Sequence, residues 1–317
     1  MFTSIVICTR NRAADLQQVL QSLFCPGNLD TPDWEVLVVE TSSDGTREIC
    51  ESYASRFRQF RFVTERRIGK SLALNTAISE AKGDVLAFVD DDVLFAADYV
   101  RSIQVVFGSN SADAVQGRVL LDCEGGWPVW LERYHLAVMA DLQDWGEQIA
   151  DYKGTLCGTN MIVRAEVFRK SGGFAPELGP GALGMWEDTE ISLRMRRAGC
   201  RMIYAPQILV HHRWPKDRLT KSFIRSRFLG QGRAEAYYVP LPVSIWRFGA
   251  YVAKDTVSGE LAALWHTCMG RPALALRAQC DARSHAGFFW QHLQFRRGLP
   301  RTLSVDTATS PQGIAAE

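Results

Sequence analysis

Two rhythms of apolar and polar residues alternate along the first 121 positions. Short apolar or β-branched runs at residues 4–8, 35–39, 61–63, 85–89 and 114–121 predict strands. Between them, apolar residues recur at helical spacing. Residues 13–24 carry Leu16, Val19, Leu20 and Leu23 on one stripe, and residues 47–57, 70–81 and 99–107 repeat the pattern. Gly83 follows the third of these and ends it. Strands that alternate with helices imply βαβ units and a largely parallel sheet. Right-handed crossovers set the strand ends on one edge, so Thr9, Glu40 and the acids at 90–92 are expected to share a crevice. Ligands of open α/β sheets bind outside such carboxyl ends.

Beyond residue 121 the pattern loosens. Residues 124–152 are rich in Trp and Gly, with Trp127, Trp130 and Trp145, and predict a loop-rich surface. Residues 158–163 predict a strand, and 187–199 a helix with Ile191, Met195 and Ala198 on one face. Residues 202–205 and 208–210 are extended and separated by Pro206. From Arg213 the composition shifts. Arg213, Lys216, Arg218, Lys221, Arg225, Arg227 and Arg233 oppose few acids and lie among Leu219, Phe223, Ile224 and Phe228. A helical region is expected to about Arg297, and a polar tail over 301–317 is expected to be disordered.

Composition narrows the class. Hydrophobic content of 47% and charged content of 22% are ordinary for a globular protein. A formal net charge of +1 argues against nucleic acid held by bulk charge. Eight cysteines stand without a C-x-x-C pair, which disfavours zinc and redox readings and fits a reduced, cytoplasmic setting. The N-terminal apolar run is too short for a signal peptide. No stretch reaches the ~18 apolar residues of a membrane span; the best candidate, 241–253, is broken by Pro242 and Arg247.

Three aspartates, Asp90, Asp91 and Asp92, close the buried run Val85–Val89. Carboxylates at close range disfavour their own ionisation, and a divalent cation relieves that. Hard oxygen ligands suit Mg²⁺ or Mn²⁺, which keep open positions for substrate phosphates. A solvated acidic turn capping the next helix is the alternative.

Further motifs follow in order. Cys8-Thr9-Arg10-Asn11-Arg12 precedes Val38-Val39-Glu40-Thr41-Ser42-Ser43-Asp44-Gly45-Thr46, then Gly69-Lys70-Ser71-Leu72-Ala73-Leu74-Asn75 and the acidic triplet. Gly172-Gly173-Phe174, Trp186-Glu187-Asp188, Tyr204-Ala205-Pro206 and His212 complete the series. Over residues 3 to 214 the chain resembles the family 2 glycosyltransferases of the GT-A fold. The resemblance implies an α/β fold: a Rossmann-like, mostly parallel sheet flanked by helices, with a C-terminal helical extension. It implies a catalytic domain over 1–214, with a nucleotide-sugar half at 1–121 and an acceptor half at 122–214, then the extension over 215–300. The implied activity is inverting, metal-dependent transfer of a sugar from a UDP-, GDP- or dTDP-sugar to a glycan or lipid-linked acceptor, in polysaccharide or glycolipid synthesis.

The resemblance also implies roles. Asp92, with Asp90, would hold Mn²⁺ or Mg²⁺ at the family's DXD motif, and His212 would be the further ligand. His211 competes, although alternation sets the two on opposite faces. Asp188 would be the general base that takes the acceptor proton, with Glu187 in support; a helix-capping role is the alternative for Asp188. Trp186 would stack on an acceptor sugar or else belong to the core. Thr9, Arg10, Glu40 and Asp91 would line the donor site. Glu40 stands where the family usually has an aspartate, and Leu74 where it often has an arginine; Lys70 or Arg67 would supply that charge, unless each is a solvated helix-start residue. The basic segment after His212 either packs on the catalytic domain, lies over the donor, or rests on an anionic membrane surface, the last being favoured. A nucleotidyltransferase and a non-catalytic nucleotide-sugar-binding module are the rival classes. The turn after the first strand lacks glycine, against the first, and the acids at 90–92 and 187–188 are intact, against the second.

Overall fold

The computed structural model describes residues 1–123, 126–139 and 141–297; the expected tail over 301–317 lies outside the described residues. In chain order the elements are β1 (Thr3–Thr9), α1 (Ala13–Leu23), α2 (Pro26–Leu29), β2 (Trp34–Glu40), α3 (Thr46–Arg56), β3 (Phe60–Thr64), α4 (Lys70–Glu80) and β4 (Val85–Val89). They continue with β5 (Val93–Phe95), α5 (Tyr99–Ser109), β6 (Ala114–Asp122), α6 (Arg133–Met139), β7 (Ala150–Asp151), β8 (Asn160–Arg164), α7 (Val167–Ser171) and α8 (Glu187–Arg197). β9 (Met202–Arg213), α9 (Lys221–Glu235), α10 (Ile245–Cys268) and α11 (Pro272–Arg296) complete the chain. Two compact units emerge. One holds residues 1–122, 141–182 and 187–214, and the other 123–140, 183–186 and 215 onward.

The first unit is built on one sheet in the order β3-β2-β1-β4-β8-β6-β9-β5, with β7 beside β9. Its first four strands are parallel, with Thr9 opposite Glu40 and Ile7 opposite Val89. That register brings the carboxyl ends of β1, β2 and β4 to one edge. Beyond β4 the sheet is mixed: β8 runs antiparallel to β4, with Asn160 opposite Val89. An antiparallel neighbour presents its leading end where the parallel strands finish, so Thr159 arrives beside Asp90. Alternate residues face opposite sides of a strand. Ile5, Ile7, Val36, Val38, Val85 and Ala87 therefore fill one core, while Val6, Leu37, Val39, Leu86 and Phe88 fill a second on the other face.

Two departures from expectation have local causes. The extended segments around Pro206 form one strand, β9, because the register against β6 shifts between Gly117 and Arg118 and leaves Pro206 outside the ladder, where its missing N–H costs nothing. Asn160 spans the gap by donating to Arg118 O and Ile208 O. The Trp-rich region expected as loop contains α6. In the second unit Leu131 forms a core with Ile224, Phe228, Leu276 and Cys280. There α9 and α11 approach closely enough that a Cβ on Gly287 would lie 2.1 Å from Leu229 O, so only glycine fits the crossing.

Candidate active site

The three aspartates after β4 take different partners. Asp90 accepts from Lys70 Nζ at 2.5 Å and from Thr159 Oγ1 at 2.8 Å. Asp91 accepts from Thr9 Oγ1 at 2.7 Å. Arg12 Nη1 lies 2.8 Å from both Asp91 Oδ1 and Asp92 Oδ2. The other oxygen of Asp92, Oδ1, lies 3.3 Å from His212 Nε2. Burial pushes Asp91 up to about 6 despite the Arg12 guanidinium. Burial also acts on Asp90 and Asp92, but Lys70 outweighs it at Asp90, and His212 with Arg12 outweighs it at Asp92; both carboxyls sit below the usual range. Burial is the largest single influence on His212 and lowers it, but the hydrogen bond and charge of Asp92, with the charges of Asp141 and Asp90, together outweigh it and raise His212 to about 9.

Backbone geometry explains how these groups meet. Asn11 adopts a left-handed conformation (φ 54), which asparagine tolerates. Its amide donates to Ser42 Oγ at 3.0 Å, and its Oδ1 accepts the Ser43 amide at 2.8 Å. The β1–α1 turn is thereby fastened to the turn after β2, and Arg12 follows onto the acids. Arg10 is exposed. Glu40 is buried and accepts from the Ser42 amide at 2.8 Å and from the Thr64 hydroxyl, so its carboxylate builds the β2–α3 turn. His212 reaches Asp92 through β5, where Val93 pairs with His212 and Leu94 with His211. Alternation buries His212 and leaves His211 half-buried on the other face.

A second acidic group opens α8. Asp188 accepts the Gly158 amide at 2.9 Å and the Thr189 amide at 2.7 Å. Glu187 Oε1 lies 3.5 Å from Lys70 Nζ, so Lys70 touches both acidic groups. Burial raises both carboxyls. Asp188 is pushed further by the charge of Asp141, and Glu187, to about 7, further by Asp188; Lys70 opposes both shifts. Thr159 Oγ1, already on Asp90, is also 3.1 Å from Asp141 Oδ2. Trp186 precedes the pair with a left-handed backbone (φ 82), and its ring stacks on Tyr238 with centroids 5.5 Å apart. Arg67 grips Glu65 through two nitrogens, and Leu74 is buried in the core.

Asp92 Oδ1 and His212 Nε2 fit two adjacent positions of one ion. Their 3.3 Å separation is near the ~3 Å between neighbouring ligands of an octahedral ion with bonds of about 2.1 Å. Among the described residues no group of three or more His, Cys, Asp or Glu converges in this way. A two-ligand protein site leaves the remaining positions to phosphate and water.

Reading the residues alone passed over Arg12, Asp141 and Thr159. Arg12 lay within a quoted motif, and three uncompensated aspartates were a signal to search for such a cation. Asp141 and Thr159 carry no local signal: the pairing of β8 with β4 brings in Thr159, and Asp141 arrives on the segment that bridges to β6 through Gln143.

The Glycosyl transferase family 2 model matches residues 4–172. Among curated proteins, glycosyltransferase AglE of Haloferax volcanii is 26% identical over 240 residues, 74% of each chain. The glucosyl-dolichyl phosphate glucuronosyltransferase of the same organism is 23% identical over 243 residues, 73% of this chain and 75% of that one. Among solved structures, the mannosyltransferase PcManGT from Pyrobaculum calidifontis in complex with GDP-Man and Mn²⁺ superposes with a TM-score of 0.52 at 18% identity, covering 94% of this chain and 76% of that one. S. aureus TarS 1-349 in complex with UDP-GlcNAc gives 0.54 at 16% identity, covering 94% and 92%. These structures share the fold.

Proposed function

The chain belongs to glycosyl transferase family 2 and is a nucleotide-sugar-dependent glycosyltransferase of the GT-A fold, and we propose that it works by an inverting, metal-dependent mechanism on an acceptor hydroxyl. The observation that carries this reading is Lys70, which joins the strand-end acids to the Glu187–Asp188 pair in one crevice. A donor's leaving group and an acceptor's proton need separate handling a short distance apart, and the two acidic groups supply it.

Asp188 is the proposed base. Two backbone amides fix its carboxylate, and burial raises its affinity for a proton, which strengthens it as a base near neutral pH. Glu187 shares Lys70 and supports the site. Thr9, Arg10, Arg12, Lys70, Asp90 and Asp91 are proposed to line the donor side, with Glu40 shaping the turn that borders it. Asp92 and His212 would hold Mn²⁺ or Mg²⁺, with Asp90 nearby on Lys70, and the ion when bound would neutralise a leaving diphosphate. Trp186, the acceptor-side residue that the resemblance implies, is buried and stacked on Tyr238 within the second unit.

The neighbours in complex with GDP-Man and UDP-GlcNAc leave the nucleotide open among UDP, GDP and dTDP. A relative named for a dolichyl phosphate substrate favours a lipid-linked acceptor over a free glycan, in glycolipid or polysaccharide synthesis. The basic helical unit is proposed to meet an anionic membrane surface. Turnover of nucleotide sugars with Mn²⁺, stopped by EDTA and restored by added metal, tests the core of the reading. Undiminished turnover in EDTA overturns the metal dependence, and no turnover of any nucleotide sugar overturns the donor class.

A further inference from the structure

Helix α10 is apolar on two sides. Ile245, Phe248, Val252, Gly259 and Ala263 are buried, and Phe248 and Val252 pack with Phe288 of α11. Nearly opposite runs a second stripe, Trp246, Ala250, Ala253, Val257, Leu261 and Leu264, at steps of three and four residues. Trp246 is 80% exposed, and Val257, Leu261, Leu264 and Trp265 are each 61–63% exposed. From Trp246 to Leu264 the stripe runs about 27 Å along the 24-residue helix. Single exposed apolar residues need no explanation, but a contiguous stripe marks a surface that something covers.

Charge identifies the cover. Residues 215–297 contain thirteen Lys and Arg against five Asp and Glu, while the rest of the chain contains twenty-three against thirty. The near-neutral total hides a basic unit joined to an acidic one. A second copy of so basic a unit would repel the first. An anionic lipid surface would attract it and would also accept apolar side chains. Arg247 and Lys254 border the stripe on one side, where their apolar stems can lie along the acyl boundary with the charges among headgroups. No helix among the described residues is long and apolar enough to cross a membrane.

We infer that the Trp246-to-Leu264 face of α10 is the surface by which the protein lies on an anionic bilayer, parallel to its plane. The inference rests on the reading above for the class of surface and is independent of the donor chemistry. It places the membrane contact on α10 rather than on the Arg- and Lys-rich start of α9.

The test is flotation of the full-length protein with phosphatidylcholine vesicles, with and without phosphatidylglycerol. The parent should float with the anionic vesicles, bind the neutral ones about tenfold less, and be released by high salt. Leu261→Glu combined with Leu264→Glu should reduce binding at least about tenfold. Both positions are exposed, so thermal unfolding and nucleotide-sugar hydrolysis should match the parent, which separates lost docking from a lost fold. Binding by a parent that hydrolyses no nucleotide sugar would support this face while the donor reading failed. A parent that stays unbound on both vesicles, or a double variant that floats like the parent, overturns the inference. So does a parent dimer that the double variant dissociates, since a second copy would then cover the stripe.

Discussion

Replacing Asp188 with asparagine separates chemistry from structure, because the two costs differ in size. Each carboxylate oxygen accepts one amide, from Gly158 at 2.9 Å and from Thr189 at 2.7 Å. Asparagine has a single acceptor oxygen, so one amide would face an NH₂ group and lose its partner. An unsatisfied buried donor costs about 1–3 kcal/mol. At roughly 2–4 °C per kcal/mol, the melting temperature should fall by about 2–12 °C. A domain with about 5–15 kcal/mol of stability remains folded at assay temperature after that loss. Removing a general base costs about 10²–10⁴-fold in rate, or ~3–5 kcal/mol of barrier. Single-turnover transfer should therefore collapse, while nucleotide affinity by calorimetry stays within about twofold, because the base acts in the transition state and not in holding the donor. Glu187→Gln should lose less. If Asp188→Asn turned over normally while Glu187→Gln were dead, the roles would be exchanged. Full activity in both variants would mean that the proton leaves by another route.

Arg12→Met leaves Asp91 and Asp92 without their shared cation and should lower stability by about 1–3 kcal/mol, discounted for partial exposure. Mn²⁺ should recover part of that loss in a melting experiment, and an equal deficit with and without Mn²⁺ would show that no ion replaces the guanidinium. His212→Ala should weaken Mn²⁺-dependent activity more than about tenfold, and His211→Ala should not; equal tolerance of both would leave Asp92 as the sole protein ligand. Glu187 has a folded pKa raised by burial to about 7 from 4.5, so its contribution to stability is present below about pH 4.5 and lost as pH rises through 7, by about 3 kcal/mol at most. The melting temperature of Glu187→Gln should therefore gain on the parent between about pH 5 and 8, and parallel pH profiles would refute the raised pKa.

The crevice was legible because it follows from local pattern. Alternating strands and helices place Thr9, Glu40 and the acidic triplet at one edge, and parallel register completes the argument. The preference for His212 over His211 came from the family resemblance, with strand alternation separating the two faces, and the structure sets His212 against Asp92. What stayed hidden depends on long-range pairing. β5 is three residues long, too short to carry a periodic signal, yet it alone brings Asp92 to His212. The contact of Lys70 with Glu187 spans two elements whose order along the chain says nothing of their distance. The turn that aims Arg12 depends on a left-handed asparagine, a conformation that a run such as Thr-Arg-Asn-Arg does not announce. Glu40, expected at the donor site, is buried and accepts the Ser42 amide of its own turn, a partnership that its position at a strand end does not announce.

The charge balance of the crevice bears on why an ion should be needed at all. Asp90, Asp91, Asp92, Asp141, Glu187 and Asp188 lie against two permanent cations, Lys70 and Arg12, and one imidazole, His212. Even with Asp91 and Glu187 partly protonated, the acids outnumber the bases. A nucleoside diphosphate is itself anionic, so the crevice as built would repel its proposed donor. Lys70 and Arg12 cannot compensate, because each already serves two carboxylates. The proposed metal would offset this excess by bringing positive charge in with the donor. By linkage, metal and nucleotide must then raise each other's affinity by the same factor. Nucleotide affinity measured over a Mn²⁺ series, and Mn²⁺ affinity over a nucleotide series, should give one coupling constant, with a value above about 10. A nucleotide dissociation constant unchanged between EDTA and saturating Mn²⁺ would mean that the acidic surplus serves the acceptor side alone.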